Sequence, residues 1–322
     1  MLPNVFIPGA QKSGTTTQCS ALDHHPEVIV STPKEPAFFS RAANLSRPEM
    51  YQECFRAKNG ITPRAIIDGS NAYMVDPLAP IRIRNMLGKD LRFIFCLREP
   101  VARMVSGFWH QVKKGRERRP LSEALFFVSA SLDEAMREED QRLRDAATQG
   151  LIDVEDCEER FDEPMWNFRY LRNSLYAADL ARYHLTFGRA RVKVILFDEL
   201  VANPVATLSS VAMFLGLDPT GLPADVGLHR NATLLARAPF LLRALRQLPR
   251  RGFLRQMPNY EAIRGTLLYR RPPQADPGVL ARLRLLVAPE VVRLQTMLNQ
   301  DLAALWDTNR GVQGARSAIN DT

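Results

Sequence analysis

The chain has 322 residues, of which 46% are hydrophobic and 24% charged, and it carries a net charge of +8. That balance suits one large α/β domain or two smaller globular ones, and it excludes a disordered or collagen-like chain. No apolar run reaches the ~18 residues of a membrane span, and Cys19, Cys54, Cys96 and Cys157 show neither metal nor disulfide-framework spacing. The basic excess suits an anionic ligand. No basic helix or aromatic ladder of a known nucleic-acid module accompanies it, so nucleic acid is not the expected partner.

Val5-Phe6-Ile7 belongs to a first strand expected over 4–8, which runs into the turn Gly9-Ala-Gln-Lys-Ser-Gly14. A helix follows over 14–24 and ends at His24-His25-Pro26, where histidines serve as C-terminal caps. Further strands are expected at 27–31, 65–68, 91–97 and 192–198, each rich in β-branched or aromatic residues. Helices are expected over 76–87, 100–114, 122–147, 171–186 and 204–215. Short apolar strands alternating with helices argue for an α/β fold of three layers, a central parallel sheet flanked by helices. Ligands of such sheets sit beyond the carboxyl ends of the strands. Cys96, inside the fourth strand, reads as a buried small hydrophobe.

Residues 116–165 are charged and helix-prone, and they read as a helical insertion over the sheet edge. Between Asn231 and Tyr260 there is no acidic residue but six arginines, Arg237, Arg243, Arg246, Arg250, Arg251 and Arg255, interleaved with Leu and Phe. This stretch reads as a surface helix with its apolar side on the core. The alternative is peripheral docking, from Arg237 to Arg255, on an anionic membrane or a lipid-linked acceptor. One domain is expected over 1–310, with a late loop inside 231–272 and a disordered tail over 311–322.

The first turn carries the most chemistry. A strand, a tight Gly/Ser/Thr loop and a helix leave backbone N–H groups free at a helix start, where they favour an anion. Gly9-x4-Gly14 matches the first part of a nucleotide-triphosphate P-loop, but Thr15-Thr16 stand where Lys-Ser/Thr should follow, and the lysine lies inside the loop as Lys12. A small-molecule kinase, the rival reading, needs the missing lysine. A second rival is a non-catalytic, membrane-associated nucleotide-binding protein.

Gln11-Lys-Ser-Gly-Thr-Thr16 resembles the 5′-phosphosulfate loop of sulfotransferases, which use 3′-phosphoadenosine 5′-phosphosulfate (PAPS) on a P-loop NTPase-like fold. Three further segments agree in order. Lys34-Glu-Pro-Ala-Phe-Phe39 resembles the acidic-base segment of carbohydrate sulfotransferases. Leu91 to Ser106 resembles the 3′-phosphate segment, and Val192 to Gly216 the late strand and helix. The likeness covers roughly residues 4–220, with an echo at Asp301-Leu-Ala-Ala-Leu-Trp306. It implies a PAPS-dependent sulfotransferase that needs no metal, releases 3′-phosphoadenosine 5′-phosphate (PAP), and sulfates a hydroxyl on a sugar, glycolipid or small metabolite. Relatives of the Golgi carry an N-terminal anchor and stem; this chain enters its first strand at once, so a cytoplasmic, bacterial-type enzyme is expected.

Each role then falls to a residue. Lys12 suits the leaving phosphate and the sulfuryl group, with Ser13, Gly14, Thr15, Thr16 and Thr17 adding N–H donors and hydroxyls, although Ser/Thr here also suit simple helix capping. Glu35 matches the family glutamate that takes the acceptor proton; His24, His25 and Asp68 are the competing bases. Arg98 and Ser106, eight residues apart, match the grip on the 3′-phosphate, while Arg103 shares the motif or pairs with Glu99. Two departures stand out. Carbohydrate-type relatives often read Glu-Lys-Ser/Thr-Pro-x-Tyr after the third strand, whereas here Asp68-Gly69-Ser70-Asn71-Ala72-Tyr73 has lost the lysine, so Lys12 or Lys34 carries more of its load. The late nucleotide-closing loop has only Arg251-Gly252 and Arg264-Gly265 as candidates.

Overall fold

The computed structural model describes residues 1–56, 62–129, 131–154, 162–163, 165–223, 235–236 and 269–306. The arginine stretch from Arg237 to Arg255, both late-loop candidates, Cys157 and the tail lie outside these residues. Five strands, β1 (Val5–Gly9), β2 (Val28–Val30), β3 (Ala65–Asp68), β4 (Arg92–Leu97) and β5 (Val192–Leu196), pair in the order β2-β3-β1-β4-β5. All four pairings are parallel. Around the sheet run α1 (Thr15–Asp23), α2 (Pro48–Gln52), α3 (Ala79–Leu87), α4 (Pro100–Lys114), α5 (Leu121–Ala124), α6 (Leu132–Thr148), α7 (Tyr176–Phe187), α8 (Phe197–Ala202), α9 (Pro204–Leu215), α10 (Pro277–Leu298) and α11 (Leu302–Trp306).

The strand sequences explain why the sheet is buried on both faces. Side chains alternate across a strand, and here both sets are apolar. Phe6, Phe93 and Phe95 point into an aromatic layer with Tyr73, Tyr183 and Phe187, where Phe6 stacks on Phe93 at 5.4 Å. Val5, Ile7, Ile94, Cys96 and Ile195 point into an aliphatic layer with Leu208 and Val211 of α9. Strand order reverses around β1, whose successor β2 lies two places to one side and whose other neighbour is β4. The crevice at its carboxyl end is therefore the switch point where open α/β sheets hold ligands.

Gly9 ends β1 at this point. A Cβ there would lie 2.8 Å from Met74 Cβ, and the β1–β4 register shifts between Phe6 and Gly9. Only glycine lets the chain leave the strand so close to its neighbour.

Two expected helices begin or break differently. The one expected over 122–147 divides into α5 and α6. Ser131 caps α6 by accepting from Glu134 N at 3.3 Å, and Glu138 takes the N–H groups of Val128 (3.1 Å) and Ser129 (3.3 Å), which are thereby satisfied without helix. α7 starts at Tyr176 because Glu139 accepts from Leu171 N (2.7 Å) and Arg172 N (3.0 Å), which holds a 3-10 turn over Arg172–Ser174. The apolar side of α6 packs with α4 and α10 through Leu143, Ala146, Phe108, Leu283 and Val287, in a cluster that contains no strand residue.

Asp68, at the end of β3, is fully buried and accepts from Tyr51 Oη (2.7 Å), Tyr73 Oη (3.0 Å), Ser70 N (2.9 Å) and Ser70 Oγ (2.6 Å). Burial pushes its carboxyl above the ordinary value and these bonds pull it back. A saturated, enclosed carboxylate has no capacity left to serve an acceptor. Asp68 is thus removed from the competing bases. Truncation strands four buried donors that each cost about 1–3 kcal/mol, so Asp68→Ala should lose more than about 3 kcal/mol in urea denaturation. A loss under about 1 kcal/mol would show the network to be expendable.

Candidate active site

Between β1 and α1 the chain turns through two left-handed residues, Lys12 (φ 71°) and Gly14 (φ 82°). A non-glycine residue there is strained by roughly 1–2 kcal/mol, so something must hold it. Arg98, leaving β4, does so: its Nη1 donates to the Lys12 carbonyl at 3.2 Å, and its guanidinium lies 4.8 Å from the centre of the Phe197 ring. Tyr176 Oη in turn donates to the Arg98 carbonyl at 3.0 Å.

Gly14 occupies the N-cap of α1 with no side chain closing the cap and no acid in the first turn. A Cβ at Gly14 would meet Leu200 Cδ2 at 3.0 Å and Phe197 Cδ2 at 3.3 Å. The capping role open to the Ser/Thr residues is therefore not taken. Ser13 is fully buried, and its Oγ has no hydrogen-bond partner among the described residues. The first-turn N–H groups, from Thr15 to Thr17, face outward with the positive end of the helix dipole behind them.

Lys12 sends its ammonium toward α4, where Nζ stands 3.4 Å from His110 Nδ1. Burial, then Lys113, Arg98, Lys114 and Arg103, lower the Lys12 pKa to about 8. Burial, then Lys12, Lys114, Lys113 and Arg116, push His110 down to about 3, so the imidazole is neutral and its Nδ1 accepts from Lys12. His110 was not among the residues singled out in the sequence. It lies one turn beyond Ser106 on α4, and that i, i+4 relation to a motif residue was the available signal. Ser106 itself is half-buried, with no side-chain hydrogen bond among the described residues and none to Arg98.

Neither Lys12 nor Arg98 has a carboxylate ion-pair partner among the described residues. Two partly buried cations beside an open helix start form an electrostatic deficit that an anion fills. The residues present fit a phosphosulfate: one ammonium, one guanidinium, uncapped amides and an unused buried hydroxyl.

The base candidate stands at the other side of the loop. Lys34 Nζ donates to Glu35 Oε1 at 2.7 Å and to Thr15 Oγ1 at 3.2 Å, and Asn71 Nδ2 donates to the same Glu35 oxygen at 3.0 Å. Phe38 and Phe39, buried against Tyr51, anchor the segment that presents Glu35, and Ala37 N–H donates to Ser70 Oγ at 2.9 Å. Through Ser70, the Asp68 network fixes Glu35. The Glu35 side chain remains 41% exposed, which leaves it open to an acceptor.

Two expectations, for Arg103 with Glu99 and for His25, are corrected, and the capping role expected of His24 is found. Arg103 does not pair with Glu99; fully buried, it donates to Ser174 Oγ at 2.7 Å and the Tyr170 carbonyl at 3.0 Å. Glu99 instead caps α4, accepting from Val101 N (3.1 Å) and Ala102 N (2.5 Å), which a carboxylate at a helix start does well. His25 is buried and bridges distant backbone, Nε2 with the Asp218 carbonyl (3.0 Å) and Nδ1 with Glu27 N (3.1 Å), so neither nitrogen is available as a base. His24 binds the Ser20 carbonyl at 2.7 Å in the last turn of α1, as a cap does. Trp306, in the late echo, is buried and donates to Asp198 Oδ2 at 3.2 Å, beside the Arg98 platform.

A family model described as a sulfotransferase domain matches residues 2–231. The chain belongs to that family. Heparan sulfate glucosamine 3-O-sulfotransferase 5 of Homo sapiens is 26% identical over 287 residues, 88% of this chain and 68% of that protein. Heparan sulfate glucosamine 3-O-sulfotransferase 3B1 of Mus musculus is 28% identical over 221 residues, 67% of this chain and 46% of its own length. The crystal structure of a sulfotransferase from Alicyclobacillus acidocaldarius superposes with a TM-score of 0.64 at 24% identity, covering 94% of this chain and 98% of that one, and shares the fold. The protein is a sulfuryl-transferring enzyme, and its family implies a PAPS donor; a kinase is not favoured.

An anion seated by Lys12 raises that lysine's pKa above its free value of about 8. The complex then holds more protons than the free sulfotransferase, so binding takes up protons near that pH and weakens above it. Calorimetry of PAP at about pH 8.5, in two buffers of different ionisation enthalpy, should show proton uptake that vanishes in Lys12→Met. Uptake undiminished in the variant would dissociate Lys12 from the ligand.

Proposed function

We propose that the protein transfers a sulfuryl group from PAPS to a carbohydrate hydroxyl, with Lys12 at the leaving phosphate, Glu35 as base, and Arg98 and Ser106 on the 3′-phosphate. The observation that carries the donor assignment is the pair of cations without carboxylate partners at the open start of α1. The sugar class rests on relatives that are glucosamine 3-O-sulfotransferases.

The acceptor oxygen attacks sulfur in line, its proton passes to Glu35, and the bond from sulfur to the bridging phosphate oxygen breaks as PAP leaves. The transition state is loose, so catalysis is positioning and charge stabilisation. Lys12, joined to neutral His110, places positive charge where the departing phosphate gains negative charge. The backbone N–H groups of Gly14, Thr15, Thr16 and Thr17 complete the cradle with the Ser13 hydroxyl, the Ser13 N–H being held by the Ala10 carbonyl at 3.2 Å. Arg98 acts twice, as a ligand for phosphate and as the brace on the Lys12 backbone.

Labelled PAPS supplied with N-sulfated heparan oligosaccharides and with unsulfated glucosamine polymers tests the acceptor class directly. Label in a sugar supports it. PAPS turnover with no label in any sugar would move the acceptor to another class. With a productive acceptor, Glu35→Gln should cut turnover by about 10²–10⁴, keep PAP affinity, and remove the acidic limb of the pH–rate profile. Retention of more than about a tenth of wild-type turnover would place the base elsewhere. Arg98→Ala should weaken PAP binding by about 1.5–3 kcal/mol and exceed Ser106→Ala, as titration would show.

A further inference from the structure

Gly69 follows β3, and the space above it is full. A Cβ at this position would lie 3.1 Å from Lys34 Cε, 3.1 Å from the Lys34 carbonyl and 2.8 Å from Cys19 Sγ. The Lys34 stem therefore lies directly over the glycine, and no side chain at 69 coexists with it undisturbed. Laid out this way, the ammonium reaches across to Thr15, the first residue of α1, and holds Glu35 at the same time. The side chain is only 22% exposed and the Lys34 carbonyl is itself tied by Ser31 Oγ at 2.8 Å, so the reach is built into the fold.

We propose that Lys34 is a second cation for the transferred sulfuryl group, joining the base to the donor loop, and that glycine at 69 exists to let it cross. The proposal rests on the PAPS reading above. An ammonium has three N–H donors; Thr15 and Glu35 take two, and the third is free to donate to a sulfuryl oxygen. Lys12 and Lys34 then flank the group as it moves from phosphate to acceptor. As Glu35 accepts the acceptor proton and loses its charge, the pull of Lys34 falls on the sulfuryl oxygens alone.

PAP lacks the sulfuryl group, so the two nucleotides separate this role from nucleotide binding in general. Lys34→Met keeps a stem of similar shape over Gly69 and removes the charge. Calorimetric titration should show PAPS binding about tenfold or more weaker than in the wild type, the loss of a charge-assisted hydrogen bond, with PAP affinity within about twofold. Gly69→Ala, which crowds the Lys34 stem together with the Lys34 carbonyl and Cys19 Sγ, should also weaken PAPS binding. It should add little in the double variant, because both changes remove one contact. PAPS affinity unchanged in Lys34→Met, or PAP affinity falling as far as PAPS affinity, would overturn the assignment while leaving the donor reading intact. A wild-type protein that binds neither nucleotide would overturn both.

Discussion

The site depends on one electrostatic condition: cations accumulated at the carboxyl end of β1 with no carboxylate in ion-pair contact with Lys12 or Arg98 among the described residues, Asp198 and Glu99 acting on Arg98 only from farther away. Gly14 leaves the start of α1 uncapped, and Lys12 and Arg98 lack carboxylate partners among the described residues. Burying Lys12, and to a lesser degree holding it near Lys113 and Arg98, costs folding free energy, as its depressed pKa records. The fold supports that cost through its aromatic and aliphatic layers, which bury both faces of the sheet. An anion that fills the deficit makes new contacts and offsets the burial and repulsion that depress Lys12.

A second constraint is geometric. The acceptor's base must stand near the sulfuryl group but outside the phosphate cradle, and it is carried on a different loop. That loop is fixed by two buried phenylalanines and by the chain from Ala37 through Ser70 to Asp68. Asp68 therefore contributes to the chemistry only through position. Its hydrogen bonds hold the backbone that presents Glu35, while Lys34 and Asn71 hold the carboxylate. Arg98 does for Lys12 what Asp68 does for Glu35, since its guanidinium fixes a left-handed residue whose side chain faces α4.

Much of this was legible in the sequence, because strand ends and glycine loops are encoded locally. β3 and α4 fall on the residues expected, the other four strands of the parallel sheet within a few residues, and the Gly9–Gly14 turn lies at the switch point. What was not legible depends on side chains that meet across the sheet. His110 lies 98 positions from Lys12 in the sequence, and their contact forms only when α4 folds back over the loop. Arg103 and Glu99 sit one turn apart with opposite charge, which suggested a pair, yet a buried hydroxyl takes the arginine and a helix start takes the glutamate. The missing lysine at Gly69 was visible, but only the packing shows that the Lys34 stem fills its place.

A site built for a nucleotide with phosphate groups at both ends must distinguish PAP from AMP, which lacks the 3′-phosphate. The most direct measurement is the shift in unfolding free energy with PAP, AMP, and ATP with magnesium at matched pH and salt. PAP at 100 times its dissociation constant should add about 2.7 kcal/mol, and AMP at the same concentration should add much less. A shift with ATP and magnesium equal to or larger than that with PAP would contradict the donor assignment on which the rest depends.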